Sequence, residues 1–426
     1  MSTKGKQVQN VVIVGQGYVG LPLAAGAVKG GFKVYGLDLN DKKVATLNSG
    51  KTVIDDISSE EISRMIECGY EATSDSSVYG NADVIVICVP TPLGEAKAPD
   101  LKYVKDAVAS IGQHVKAGTL IILESTTYPG TTGTLVAPIL EAAGFQIGKD
   151  IFLAFSPERI DPGNTTYGLA NTPKVVGADD PESRRLAQQF YSKIVDEVVL
   201  VSGTAEAELT KLLENTYRHV NIALVNELAM VCKELDIDIW EVIRAAATKP
   251  FGFQAFYPGP GVGGHCIPID PNYLSYRVKD SLDRPFRFVE LAEEINSSMP
   301  AYVVTRVQEV LNGQRKALNG SKVLLLGVTY KSGISDTRQS PAVPIAQKLT
   351  QNKAVVSFYD PFIEEWEFEP SRVIARLSDL NAAVKEADIV VLLQNHHELD
   401  LEKISSDSKS FLDTRGAVGG ERIERL

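Results

Sequence analysis

The sequence is poor in cysteine, in histidine and in excess basic charge. Its four cysteines, Cys68, Cys88, Cys232 and Cys266, lie far apart and form no Cys-x-x-Cys pair. That spacing argues against a disulfide framework and for a reducing, cytoplasmic setting. The five histidines show no metal-ligand spacing, and the adjacent His396 and His397 do not put both rings on one site. No metal is expected. Lys and Arg number 43 against 54 Asp and Glu, a net charge of -11. Nucleic acid as a bulk partner is excluded, since such binding needs basic surface to neutralise phosphates. A local basic pocket for one small anion remains open. No stretch is charge-blocked or low in complexity. The apolar run from Val11 to Val28 is broken by Gly15, Gln16, Gly17, Gly20 and Pro22 and carries no processing pattern. It reads as strand, turn and buried helix, so neither a membrane span nor a signal peptide is expected.

What is present is ordinary globular composition, with 44% hydrophobic and 23% charged residues. Val11–Val14, Lys33–Leu37, Asp83–Val89, Thr119–Leu123 and Ile151–Phe155 are β-branched or apolar runs alternating with helical stretches. That texture implies βαβ units and a parallel sheet. Thr204 to Leu235 holds no Gly or Pro and has apolar residues at helical spacing. It predicts one helix of about 45 Å, a domain spine or a dimer interface. Helix is expected again over Ile239–Ala247 and Phe288–Val310. Strand texture returns at Val323–Gly327, at Val355–Tyr359 and at Ala387–Leu393, which echoes Ala82–Cys88. The expected architecture is α/β: two doubly wound Rossmann-like domains joined by a long central helix. The boundaries read as 1–203, 204–315 and 316–426. The second domain lacks Gly-x-Gly-x-x-Gly and is not expected to bind a dinucleotide in the same way.

Gly15-Gln16-Gly17-Tyr18-Val19-Gly20 follows a strand and opens a helix. The first Gly permits a tight turn, the second lets a pyrophosphate approach, and the third lets helix and strand pack. The helix N-terminus offers N–H groups and partial positive charge to phosphates. Asp38 ends the next strand, 18 residues beyond Gly20. A carboxylate there accepts from ribose hydroxyls and repels a 2′-phosphate, so NAD is the expected cofactor. Pro90-Thr91 and Ser125-Thr126-Thr127 fall at C-terminal strand ends, where ligands bind in open sheets. Ordinary turn chemistry explains them equally well from position alone.

Phe256 to Cys266 is a Gly- and Pro-rich loop ending in Gly263-Gly264-His265-Cys266, with Asp270 shortly after. A thiol adds to carbonyl carbon where its neighbours favour the thiolate. Cys266 is therefore the candidate nucleophile. Cys68, Cys88 and Cys232 are expected to be small core residues. Lys211, Asn215 and Arg218 recur at i, i+4 and i+7, within about 60° on one helix face. A polar stripe is ordinarily a solvated face; this one carries no acid and suits an anionic ligand.

These residues, in the runs VVIVGQGYVGLPLA, VPTP, ESTTYPG, FSPERIDPG, ELTKLLENTYRHVNIALVNEL, GPGVGGHCIPIDP and YKSGISDTR, resemble the UDP-glucose/GDP-mannose dehydrogenase family over nearly the whole chain. The resemblance implies oxidation of a UDP-sugar C6 alcohol to a carboxylate with two NAD, through a thiohemiacetal and thioester on Cys266. Lys211 matches the proton donor/acceptor or oxyanion stabiliser, and Asn215 the residue that orients the C6 oxygen or a water. Asp270 and Glu158 match groups that assist hydrolysis, and Thr126 lies near the reacting centre. Arg159, Ile160, Arg218, Gly264, Tyr330 and Lys331 match the UDP-sugar lining. Arg338 matches a position reaching NAD, and Lys43 one near the adenosine. A dimer or higher homo-oligomer is implied. UDP-glucose members commonly carry Ser before the thiol and a Pro-Glu-Phe-Leu run. His265 and Ser156-Pro157-Glu158-Arg159-Ile160 resemble the N-acetylhexosamine branch, and Lys249–Phe253 with Cys266–Pro271 lean toward UDP-N-acetylglucosamine, with UDP-N-acetylmannosamine next, then UDP-N-acetylgalactosamine and UDP-glucose. The rival class is a non-catalytic NAD- or UDP-sugar-binding sensor.

Overall fold

The computed structural model describes residues 9–426 except 55, 95–97, 162–163, 165, 265–266 and 421–422. It divides into two compact units, one of residues 1–214 and 272–284, the other of 215–271 and 285–426.

The first unit is built on eight strands: β1 (Asn10–Val14), β2 (Lys33–Leu37), β3 (Tyr70–Thr73), β4 (Val84–Ile87), β5 (Leu120–Leu123), β6 (Phe152–Phe155), β7 (Lys174–Gly177) and β8 (Val198–Val201). Their order is β3-β2-β1-β4-β5-β6-β7-β8. The first six are mutually parallel; β7 runs antiparallel to β6, and β8 follows β7 in parallel. Strands buried on both faces must be apolar throughout. β4 (Val-Ile-Val-Ile) and β5 (Leu-Ile-Ile-Leu) are. Alternate residues of β1 serve opposite layers: Val11 and Ile13 join one core, Val12 and Val14 the other. Chain order reverses between β1 and β4, which opens a crevice at their carboxyl ends.

The second unit repeats the plan. β9 (Lys322–Leu326), β10 (Val355–Tyr359), β13 (Ile389–Leu392), β14 (Phe411–Asp413) and β15 (Ile423–Arg425) form a parallel sheet in the order β10-β9-β13-β14-β15. A hairpin of β11 (Glu365–Glu369) and β12 (Arg372–Ala375) stands apart from it. Val323 and Leu325 face one core, and Leu324 and Leu326 the other. The resemblance between Ala82–Cys88 and Ala387–Leu393 is structural as well. Asp83 accepts from the Asn10 N–H at the start of β1, and Asp388 accepts from the Lys322 N–H at the start of β9.

The long helix runs over Thr204–Glu234, its residues to Glu214 belonging to the first unit and the rest to the second. Among the described residues no helix is long and apolar enough to cross a membrane. One expectation needs correcting. Cys68 is not a core residue: it caps the C-terminus of the helix Ser59–Glu67 and is exposed. Cys88 and Cys232 are buried, Cys88 just past the end of β4.

Candidate active site

In the first unit, Gly15 and Gly20 are fixed by close approach. Gly15 has φ +92°, and a Cβ there would stand 2.6 Å from the Cys88 carbonyl oxygen. A Cβ on Gly20 would stand 1.9 Å from the Gly15 carbonyl oxygen. Gly17 faces open space. A flat diphosphate can reach the backbone there, and the helix Gly20–Lys29 begins with no capping side chain. Gln16 is fully buried; its amide donates to the Ile13 carbonyl and accepts from the Tyr70 hydroxyl at 2.8 Å. It is thus a strut of the turn, while Tyr18 is exposed. Asp38 accepts from the Gln16 N–H, the Asn40 N–H and the Lys43 ammonium, the last at 2.7 Å. Burial works against its charge, but these donors prevail and hold its carboxyl below the usual value. An ionised acid at the end of β2, beside an open glycine and an uncapped helix, fits an adenosine ribose and its diphosphate.

The carboxyl ends of β4, β5 and β6 bring more groups together. Ser125 donates to the Val89 carbonyl at 2.8 Å, which ties the β5 loop to the strand that leads into Pro90 and Thr91. The Thr91 carbonyl accepts from the Tyr273 hydroxyl. Glu158 is buried and accepts from the Ile160 N–H at 2.5 Å. Arg159 pairs with Glu214 at 2.7 Å and donates to the Pro173 carbonyl.

The loop after β5, which carries Thr126, is clamped from the long helix. Glu208, 1% exposed, accepts from Gly130 N–H, Thr132 N–H and Thr132 Oγ1 at 2.5, 2.8 and 2.7 Å. Lys211, half-buried, follows one turn later. Burial pushes the Glu208 carboxyl up to about 7 against the pull of those donors. The folded chain therefore holds a proton that the unfolded chain, with an ordinary value of 4.5, releases first. This contribution is full below about 4.5 and is lost as pH rises through about 7. Urea unfolding at pH 5 and pH 8 is expected to show Glu208→Gln flattening that slope by about 1–3 kcal/mol relative to the parent.

In the second unit, Asn215 is buried on the long helix and donates to Asp270 at 2.6 Å. Asp270 is 3% exposed and opens the helix Asp270–Leu282. Arg218 is exposed. A buried amide network fixes the start of the glycine loop. Asn226 accepts from the Gly259 N–H and donates to Asn296, which donates to the His219 carbonyl. Gly264 has φ +93°, and a Cβ there would meet the Tyr330 ring at 3.0 Å. Pro341 lies as close to Gly261 and Gly263. So the glycines let the loop lie flat on Tyr330 and Pro341. His265 and Cys266 lie outside the described residues. Lys331 is half-buried. Arg338 is exposed and makes a two-pronged pair with Asp336 at 3.0 and 2.8 Å.

The second sheet also keeps a counterpart of Asp38. Asp360 ends β10 and accepts from the Val328 and Thr329 N–H groups. It is fully buried, with the His396 ring 3.1 Å away. His396 in turn accepts from the Gly333 N–H, within the run that carries Tyr330 and Lys331. Asp38 stays partly open to a ligand, whereas Asp360 is spent on ordering its own loop.

The sequence names candidate ligand groups but gives no sign of the supports: Glu208, Asn226, Asn296, Asp360, His396, and a buried set around Lys174. Their partners lie 16 to 78 residues away along the chain. A single sequence offers no local signal for such pairings. Among the described residues, no group of three or more His, Cys, Asp and Glu is gathered for a metal.

Three family models cover the chain in order: the NAD binding domain of the UDP-glucose/GDP-mannose dehydrogenase family over residues 9–195, its central domain over 205–298, and its UDP binding domain over 324–420. The chain belongs to that family. It is an NAD-dependent nucleotide-sugar dehydrogenase, and the cradle around Gly17 and Asp38 is of the kind its NAD binding domain requires. A UDP-N-acetyl-D-mannosamine dehydrogenase of Methanocaldococcus jannaschii is 35% identical, covering 98% of this chain and 94% of its own. A UDP-N-acetyl-D-glucosamine 6-dehydrogenase of Pseudomonas aeruginosa is 36% identical over 83% of each. The solved UDP-D-ManNAc dehydrogenase of Pyrococcus horikoshii superposes with a TM-score of 0.88 at 29% identity, covering 98% of this dehydrogenase and 99% of that chain.

Proposed function

We propose that this dehydrogenase oxidises the C6 alcohol of a UDP-N-acetylhexosamine to the uronic acid, with Cys266 as the covalent anchor. The observation that carries the reading is the Asn215–Asp270 bond at the foot of the loop leading to Cys266. It holds two polar groups in a buried place at the start of the helix Asp270–Leu282. Residues 1–203, 204–315 and 316–426 serve as the NAD, central and UDP-sugar parts. The cytoplasm suits a chain whose chemistry needs a reduced thiol.

Bound NAD supplies the hydride acceptor, twice. As hydride leaves, the C6 hydroxyl proton passes to an ordered water and so to solvent; Lys211 stands against the charge left on that oxygen, Asn215 orients it, and Thr126 lines the reacting centre. The Cys266 thiolate adds to the aldehyde carbon, so the carbonyl stays bound between the two oxidations. Hydrolysis then adds a water oxygen to the thioester carbon. The C–S bond breaks, Cys266 leaves as thiolate, and the water proton passes to Glu158, with Asp270 assisting. Two hydrides leave in all, and one water oxygen remains in the carboxylate. Arg159, Ile160, Arg218, Gly264, Tyr330 and Lys331 take the UDP-sugar, while Lys43 and Arg338 serve NAD.

His265 and the Ser156–Ile160 run support an N-acetylated sugar, with the gluco epimer the first choice. The relative covering 98% of the chain favours the manno epimer. An NADH assay over UDP-N-acetylglucosamine, UDP-N-acetylmannosamine, UDP-N-acetylgalactosamine and UDP-glucose is expected to give two NADH per N-acetylated sugar. Turnover of UDP-glucose alone overturns the N-acetyl reading. Tight binding without NADH overturns the enzyme reading in favour of a binding protein.

The partner proposed is a second copy. Leu224, Leu228 and Val231 on the long helix, and Leu235 just past its end, are 41–63% exposed at spacings of four, three and four. That is an apolar stripe without a cover in one chain. Sedimentation is expected to find a dimer or larger, and Leu228→Glu with Val231→Glu is expected to yield monomer.

A further inference from the structure

We propose that Lys174 is a positioning residue for Glu158, itself anchored by Glu124 and Tyr191, and that it serves the hydrolytic half of the reaction. The inference rests on the reading above, in which Glu158 takes the proton from water.

Lys174 is the first residue of β7 and is 3% exposed. Because β7 runs antiparallel to β6, its first residue lies at the edge where β4, β5 and β6 end. Its Nζ stands 3.0 Å from Glu124 Oε1 and 3.4 Å from Glu158 Oε2. The Tyr191 ring lies under the ammonium at 5.3 Å, and the Tyr191 hydroxyl donates to Glu124 Oε1. The groups facing Lys174 are therefore Glu124 from β5, Glu158 from the segment after β6, Tyr191 from the helix Pro181–Tyr191, and the buried Cys88 thiol after β4.

Burial alone would strip the ammonium of its proton, yet the two carboxylates outweigh it and hold Lys174 charged. Burial pushes the Glu124 carboxyl up. Its Oε2 is buried and has no hydrogen-bond partner. The ammonium bridges Glu124 Oε1 and Glu158 Oε2, so it ties Glu158 to a buried, immobile neighbour. With Ile160 N–H on Oε1 and Lys174 on Oε2, both oxygens of Glu158 are held in one orientation. A buried ion set of this kind adds little to stability compared with apolar packing. Its use is in the placement of Glu158.

Lys174→Gln removes the charge and keeps amide donors. It is expected to raise the acid limb of the kcat profile by about 1–3 pH units. Its kcat is expected to fall at least about tenfold, with KM for the UDP-sugar unchanged. Because both oxidations precede hydrolysis, the variant is expected to release two NADH per active site in a burst. A thioester adduct on the protein should then accumulate, read by intact-protein mass spectrometry. Glu124→Gln puts its amide nitrogen where Oε2 lacks a partner. It keeps the Oε1 acceptor that holds Lys174 and Tyr191, and it is expected to fold and to leave the acid limb in place. An unmoved limb with no adduct in Lys174→Gln overturns the proposal. So does a Glu124→Gln variant whose acid limb rises. Both outcomes presuppose a parent enzyme that makes two NADH; a parent that makes none overturns the proposed function itself.

Discussion

Cys266→Ser is expected to lower steady-state formation of the uronic acid by a factor on the order of 10³ or more, with NAD affinity unchanged. The thiol is asked to do two things a hydroxyl does poorly. It adds to an aldehyde near neutral pH, because a useful fraction is thiolate. It then leaves from an acyl carbon, because a thiolate is a good leaving group. Serine keeps the size and loses both. The product is diagnostic: the serine variant is expected to give one NADH per sugar at most, with aldehyde as the trapped species. Isothermal titration with NAD checks that the proposed cofactor cradle of the Gly15–Gly20 turn and Asp38, which belong to the other unit, is intact. Full uronic acid formation by the variant would remove the covalent step from the mechanism.

Much of the fold was legible because burial on two faces leaves a plain mark. Val11–Val14, Ile121–Leu123 and Leu324–Leu326 are apolar without interruption, and all are fully buried or nearly so. Helix Ile239–Ala247 was found to the residue, since Asp238 accepts from Trp240 and Glu241 N–H groups and begins it sharply. The strands that escaped notice lack that mark. β3 alternates buried and exposed residues over only four positions, and β8 is half-exposed along its length. β7 begins with a lysine after a proline, which in isolation reads as a loop. The antiparallel turn between β6 and β7 left no signal of its own.

The site divides in the same way. The candidate ligand groups cluster in short runs of sequence, because a turn or a loop must deliver them together. Gly15 to Gly20, Ser125 to Thr127 and Gly263 to Asp270 are such runs. Supports come one at a time from distant strands and helices. Lys174 meets Glu124 across 50 residues of chain, and Asn226 meets Asn296 across 70. An asparagine on a helix or a lysine at a strand start has many ordinary uses, so nothing local singles these out. The internal repeat is the exception. The Ala387–Leu393 echo pointed to a second sheet of the same plan, and only the fold showed that Asp360, after β10, anchors its own loop.

Lys211→Met is expected to lower kcat by about 10²–10⁴-fold with little change in KM. The side chain extends from the helix one turn after Glu208, whose three hydrogen bonds fix that turn against the Thr126 loop. Its position is thus set by a buried anchor rather than by its own contacts. A cation there acts on charge that exists on the C6 oxygen chiefly while hydride is leaving, so its loss falls on kcat. Lys211→Arg is expected to remain at least about tenfold below the parent, since a planar guanidinium cannot occupy the point of an ammonium or exchange its proton readily. The signature separates this residue from Lys174. Loss of Lys211 is expected to slow the first oxidation, so rapid mixing shows no burst of NADH and mass spectrometry shows no adduct. A burst of normal size in Lys211→Met would assign the residue to hydrolysis instead.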